Sequence, residues 1–175
     1  SSVSGNSEFN GKMDDYTFSK DEIKILIKTE TEAIYRRSTR ANFYVWDKNN
    51  NTLTTVEKAG KQRYTSFSDD ATKVAFVRGN DLYYKDLASG KITRITSDGK
   101  SNSIINGATD WVYEEEFSIA KGFEWSPDGN KIAFLRFDES EVKEFTMTLY
   151  NRDLYPAYET FKYPKVGEKN AIVTV

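Results

Sequence analysis

Cysteine and histidine are both absent from the 175 residues. Without them the chain can form no disulfide, no Cys/His zinc site, no thiol nucleophile and no imidazole base, and it holds no Ser–His–Asp triad of its own. If it serves a hydrolase, much of the chemistry lies elsewhere. An excess of either charge sign is missing too: 25 basic residues stand against 27 acidic ones, a net charge of −2. So even a balance gives no footprint for nucleic acid, which normally selects a basic surplus. No apolar run approaches the ~20 residues that span a bilayer as a helix. Residues 1–10 (SSVSGNSEFN) carry neither a charged start nor an apolar stretch, so no secretory leader is expected there. The start at Ser reads as an excised or processed piece.

Aromatic residues are abundant instead, with 11 Tyr and 11 Phe against 3 Pro. Such side chains favour strands, where they pack on a pleated face. A unit recurs three times: SKDEIKILI from Ser19, SDDATKVAF from Ser68 and SPDGNKIAF from Ser126. In each copy Ser is followed by Asp at +2 (Asp21, Asp70, Asp128) and Lys at +5 (Lys24, Lys73, Lys131), and an aromatic precedes it (Phe18, Phe67, Trp125). The pattern reads as strand, tight polar turn, strand. Ser and Asp side chains can bond backbone groups two residues on, and Gly129 supplies a positive φ.

The middle copy continues as strands over 63–68, 73–78, 81–86 and 91–96. Four antiparallel strands repeated at this period describe the blade of a β-propeller. The expected fold class is therefore all-β: a partial propeller of about three four-stranded antiparallel blades with one short helical insert. The blades are placed at about 12–58, 63–96 and 122–163, with the insert at 97–121. Three blades do not close a ring, so residues 1–175 read as a fragment of a larger propeller domain. An ordinary β-sandwich could also carry three such hairpins.

Three segments break the period. The insert over 97–121 is long for a connection yet rich in anchors, among them Ile104, Ile105, Trp111, Val112, Tyr113 and Phe117. At its centre, Asp110-Trp-Val-Tyr-Glu-Glu-Glu-Phe117 suggests a short helix over 110–116, capped by Asp110 or Thr109. Three crowded carboxylates repel and raise one another's pKa unless a cation sits near. A solvated helix face is the ordinary reading of such a run. The aromatic anchors favour a sharper one, a carboxylate pair aimed at an ammonium group such as a peptide α-amine. The second break is the long hairpin over 29–40, whose tip is cationic with Arg36, Arg37 and Arg40. These are either exposed charges or a forked donor that balances the glutamates and holds a carbonyl. The third is an expected arm over 137–164. The Asn-rich stretch 47–52 fails as a calcium loop, because Thr52 stands at the glycine position and Lys58 at the twelfth. No metal or cofactor is called for.

The stretch NGATDWVYEEEFSIAKGFEWSPDGNKIAFLRFDESEV (106–142) strongly resembles the propeller domain of the dipeptidyl peptidase IV family. YPKVGEKN (163–170) and YRRSTRANFYVWD (35–47) fit the same family. That resemblance implies an eight-bladed propeller joined to an α/β-hydrolase domain with a Ser–Asp–His triad, absent here, so this chain alone should be inactive. It implies a periplasmic, cell-surface or secreted enzyme that removes Xaa-Pro or Xaa-Ala dipeptides from peptides with free N-termini. Two propeller glutamates hold the substrate's α-ammonium and an arginine its carbonyl. By motif these fall on Glu115, Glu116 and Arg36, with Arg37 as the neighbouring alternative, while Glu114 is structural. Adjacent helix positions do not share a face, so both glutamates can reach one ammonium only if the helix ends or tightens there, and a distorted or 3₁₀-like terminus is expected at Glu116. The implied partners are the peptide substrate, the hydrolase domain of the same chain and, through the arm 137–164, a second subunit. A non-enzymatic propeller scaffold for protein binding and a tripeptidyl relative stay open as alternatives.

Overall fold

Each Ser–Asp motif closes a turn between two strands, and these turns set the frame of the computed structural model, which describes Phe9 and residues 12–175. The stretch in which no leader is expected, residues 1–10, lies outside the described residues apart from Phe9. In all three turns the Ser hydroxyl donates to the Asp carboxylate and accepts the Lys amide, at 2.9 Å from Lys24, 3.0 Å from Lys73 and 2.9 Å from Lys131. The residue at +3 is left-handed each time: Glu22, Ala71 and Gly129, with φ of 56, 53 and 65°. In the middle copy the Ser68 hydroxyl and the Thr72 amide hold the Asp70 carboxyl down to about 2.

The first sheet is β1 (Asp15–Phe18), β2 (Lys24–Ala33), β3 (Thr39–Asp47) and β4 (Thr52–Thr55), hydrogen-bonded in chain order. The second is β5 (Arg63–Phe67), β6 (Lys73–Arg78), β7 (Asp81–Asp86) and β8 (Ile92–Arg94), again in order and antiparallel throughout. Between β3 and β4, the Asp47 carboxylate accepts the amides of Asn49 and Asn50, an ordinary Asx turn.

Successive strand residues face opposite sides, and β6 shows the consequence. Val74 and Phe76 enter one core with Leu26, Phe43, Val45 and Tyr83. Ala75 and Val77 enter another with Leu82, Ile105, Phe123 and Phe137. All four β6 residues are fully buried. The second sheet is thus sandwiched between neighbours on both faces, which explains its unbroken apolar run. Burying one Val- or Phe-sized side chain contributes about 1.5–3 kcal/mol.

The third segment departs from the expected single sheet over 122–163. β9 (Ile104–Asn106) lies inside the insert, followed by α1 (Trp111–Phe117), β10 (Phe123–Trp125), β11 (Ile132–Phe134), β12 (Arg136–Asp138), β13 (Glu144–Leu149), β14 (Ala157–Lys162) and β15 (Ile172–Thr174). β10 pairs with β11, whereas β12 pairs with β9 on one side and β15 on the other. The physical cause is Leu135. Its amide bonds to the Gly122 carbonyl and its own carbonyl accepts the Gly107 amide, so the strand changes partners there.

The arm is correspondingly shorter than 137–164. Phe137 is fully buried and β12 belongs to the body, so the free hairpin is β13–β14. Among the described residues, no helix is long and apolar enough to cross a membrane. The chain is all-β, a partial propeller of antiparallel sheets with one short helix.

Candidate functional site

Gly107, Ala108 and Gly122 close the neck from which the helical insert leaves the body. Ala108 bridges Lys121, and the Gly122 amide donates to the Gly107 carbonyl. Thr109 donates its hydroxyl to the Ile119 carbonyl at 2.6 Å, so Asp110 is left as the helix cap. Its carboxylate accepts the Tyr113 amide at 2.9 Å. Burial pushes the Asp110 carboxyl up, and the Tyr113 amide bond offsets part of that shift. Upstream, buried Asp81 accepts Arg94, the Thr96 hydroxyl and the Gly99 amide, fixing the strand from which the insert departs.

Three faces of α1 meet three neighbours. Tyr113 packs edge-on against Phe137 at 4.8 Å and against Phe117 one turn later, joining the helix to the core. Trp111 stacks on Phe161 at 5.1 Å and meets Tyr163 at 5.2 Å, at the root of the β13–β14 hairpin. Glu114, one turn after Trp111, turns inward to the β2–β3 turn. Its Oε1 accepts the backbone amides of Arg37 at 2.7 Å and Ser38 at 2.9 Å. The aromatic anchors therefore orient the glutamate run, as helical spacing requires.

The run divides sharply. Glu114 is buried, Glu115 is half-buried with its side chain 14% exposed, and Glu116 is open to solvent. Arg36 Nε lies 3.2 Å from Glu115 Oε2, with the arginine side chain 73% exposed. Arg37 takes part through its backbone amide, so Arg36 is the arginine brought to the glutamates. Glu116 makes no ion pair among the described residues. The helix does not tighten at Glu116. It continues to Phe117 and stops at Ser118, which adopts φ 58° and returns its amide to the Tyr113 carbonyl. A left-handed cap reverses the chain in one residue, so no 3₁₀ turn is needed.

Beside the helix lies a cleft of about 300 Å³, lined by Tyr35, Arg63, Asp110, Trp111, Glu139 and Lys162 among others. Burial and the Asp110 carboxylate push the Glu139 carboxyl up to about 7, against the pull of Lys162. Sequence reasoning passed over Glu139. It sits in a polar stretch, FDESEV, and only the fold carries it under the helix cap.

Comparison with known proteins agrees with this fold. A family model described as "Dipeptidyl peptidase IV (DPP IV) N-terminal region" matches residues 19–175. Dipeptidyl aminopeptidase B of Saccharomyces cerevisiae is 38% identical over 160 residues, covering 88% of this chain and 19% of that protein. Dipeptidyl peptidase 4 of Felis catus is 34% identical over 170 residues, covering 95% of this chain and 22% of that protein. The crystal structure of Porphyromonas gingivalis dipeptidyl peptidase 4 superposes with a TM-score of 0.88 at 42% identity, over 98% of this chain and 24% of that one. The chain thus spans about a fifth of the length of such curated relatives. A match running from the first Ser–Asp turn through the glutamate helix to the last strand leaves one conclusion: the chain belongs to the family of dipeptidyl peptidase IV N-terminal regions.

Proposed function

We propose that the chain is the substrate-holding part of the propeller of a longer serine exopeptidase, which releases Xaa-Pro or Xaa-Ala dipeptides from peptide N-termini. Glu115 and Glu116 receive the substrate's α-ammonium and Arg36 its carbonyl oxygen. One observation carries this reading, the Arg36–Glu115 pair at 3.2 Å on a helix braced by aromatic residues. A half-buried carboxylate next to an exposed, forked cation suits a peptide N-terminus, which offers a charged ammonium and, beside it, a carbonyl acceptor. The guanidinium neutralises Glu115 until an ammonium arrives, and its free N–H groups then remain for the carbonyl. Adjacent helical residues project about 100° apart and the helix does not tighten at Glu116, so Glu115 is the anchor beside Arg36. The solvent-exposed Glu116 joins it at the ammonium only by swinging its side chain round the helix end.

Selectivity for chain ends follows from the same charges. An internal peptide segment brings no ammonium, and carboxylates stripped of water without a partner carry a heavy penalty. The distance from this anchor to a nucleophile on a hydrolase domain of the same chain then measures off two residues. In the same reading the enzyme works outside the cytoplasm, in the periplasm, at the cell surface or secreted, and forms a homodimer through the β13–β14 arm. The domain layout proposed is propeller sheets about residues 12–58 and 63–96, followed by an insert at 97–121 that carries the helix of the site and a third unit whose strands pair back to β9 and on to β15.

The test is steady-state kinetics on the full-length protein with a free-amine Gly-Pro chromogenic substrate. A hydrogen bond to a charged group is worth about 1.5–3 kcal/mol, so Glu115→Gln and Glu116→Gln should each lower kcat/KM by roughly 10- to 150-fold. Arg36→Ala should raise KM. Variants that leave kcat/KM at the parent value would remove the ammonium-anchor reading and return the chain to a binding scaffold.

A further inference from the structure

Glu114 is the member of the glutamate run with no ligand assigned, and its surroundings give it a task. Its side chain is 1% exposed, and one of its oxygens accepts two consecutive amides, those of Arg37 and Ser38. The Arg37 amide belongs to the peptide that links Arg36 to Arg37. Fixing that plane fixes the direction in which the Arg36 side chain leaves the backbone. The other bonds of the turn are internal to it: Ile34 amide to Ser38 carbonyl at 2.9 Å, and Tyr35 amide to Ser38 hydroxyl at 3.2 Å.

Strand pairing does not do this work. The β2–β3 ladder shifts register between Thr29 and Glu32 and ends at Ala33 opposite Thr39, below the residue that matters. The apex is held from the helix instead. Glu114 grips its backbone while Glu115, the next residue, pairs with its guanidinium.

We propose that Glu114 is a positioning residue that sets the separation and angle between Arg36 and the Glu115–Glu116 pair, and so the register of a bound peptide end. The inference rests on the assignment of Arg36, Glu115 and Glu116 as ligands. Charge suits the task, because bonds from amides to a carboxylate are shorter and stronger than neutral ones. Removing the acceptor leaves two amides unpaired at a buried site, and the turn must rebuild around them.

The experiment uses the full-length protein, with active enzyme counted by titration with a covalent serine-directed inhibitor so that loss of folded protein does not enter the rates. A misplacement of about 1 Å at a reactive geometry can cost on the order of 100-fold, so Glu114→Leu should raise KM by about 10-fold or more with a smaller change in kcat. Glu114→Gln keeps an oxygen for both amides and should recover most of that loss. If the leucine variant does not fold, Glu114→Asp keeps the charge, withdraws it by one methylene and should raise KM to a lesser degree. In an Arg36→Ala background the Glu114 substitution should add less than about 2-fold, because it acts through Arg36. Full multiplication of the two effects, or an unchanged KM per titrated site, overturns the inference. Its failure is distinct from that of the ligand assignment, which falls when Arg36→Ala and Glu115→Gln themselves leave KM unchanged.

Discussion

Glu139 shows how far a single side chain can depart from what its neighbours in sequence suggest. It is 6% exposed, with Asp110, Lys162 and Tyr35 around it. Burial and the Asp110 charge raise its pKa from the usual 4.5 to about 7. A carboxyl with a raised folded-state pKa is held protonated by the fold while the unfolded chain has already ionised. Its cost to stability is absent below the unfolded value, grows as pH rises from there, and is complete above about 7. Glu139→Gln should therefore raise the unfolding temperature of the intact protein at pH 8 and give no gain near pH 4. Calorimetry at the two pH values checks this, and an equal shift at both would mean that packing rather than charge is responsible. The glutamates of the helix separate just as clearly. Three identical letters become a buried strut, a paired carboxylate and a solvated one, because each step along a helix turns about 100° past fixed neighbours.

At the scale of elements, the Ser–Asp turn and the insert obey different kinds of constraint. The turn is local: its hydroxyl, carboxylate and amide all lie within six residues, so the repeat is legible from the letters alone. The insert depends on close packing at its neck. Gly107 sits at φ 72°, and a Cβ there would lie 3.1 Å from both Leu82 and Val77 side chains. Gly107→Ala combines a left-handed backbone with overpacking of a full core, for an expected loss of about 1–3 kcal/mol. Chemical denaturation should show a lower midpoint with an unchanged slope. The damage should reach the helix, since the Gly107 carbonyl and Ala108 close its neck. Helix extent was legible to within a residue through Asp110 and the aromatic spacing. Its ending was not, because a non-glycine left-handed cap at Ser118 leaves no mark in the sequence.

The whole molecule presents a buried middle sheet, partners on either side, and one hairpin standing free. Tyr150, Leu154 and Tyr155 at the end of that hairpin are 85, 90 and 80% exposed, a concentration of large apolar surface that a monomer seldom displays. The arm should pair with a second subunit in the intact protein. Leu154→Asp together with Tyr155→Asp should shift a dimer to monomer in sedimentation at micromolar concentration. Wild-type protein that sediments as a monomer under those conditions would count against a dimer arm.

Sequence alone determined the all-β character, the repeat and its turns, the four strands of the middle unit to within two residues, and the existence of a special insert. These rest on interactions between residues close in the chain, or on the two-residue period that a doubly covered strand suspends in KVAFVR. Composition likewise settled that no triad could be complete without residues beyond these. Only the tertiary structure decided that β12 joins β9 and β15 rather than extending an arm. It alone brought Arg36 to Glu115 across some eighty residues of chain, and gave Glu114 the amides that hold that arginine in place. Pairings at that separation depend on which faces two sheets and a helix turn towards one another. Packing fixes this, and no local pattern encodes it.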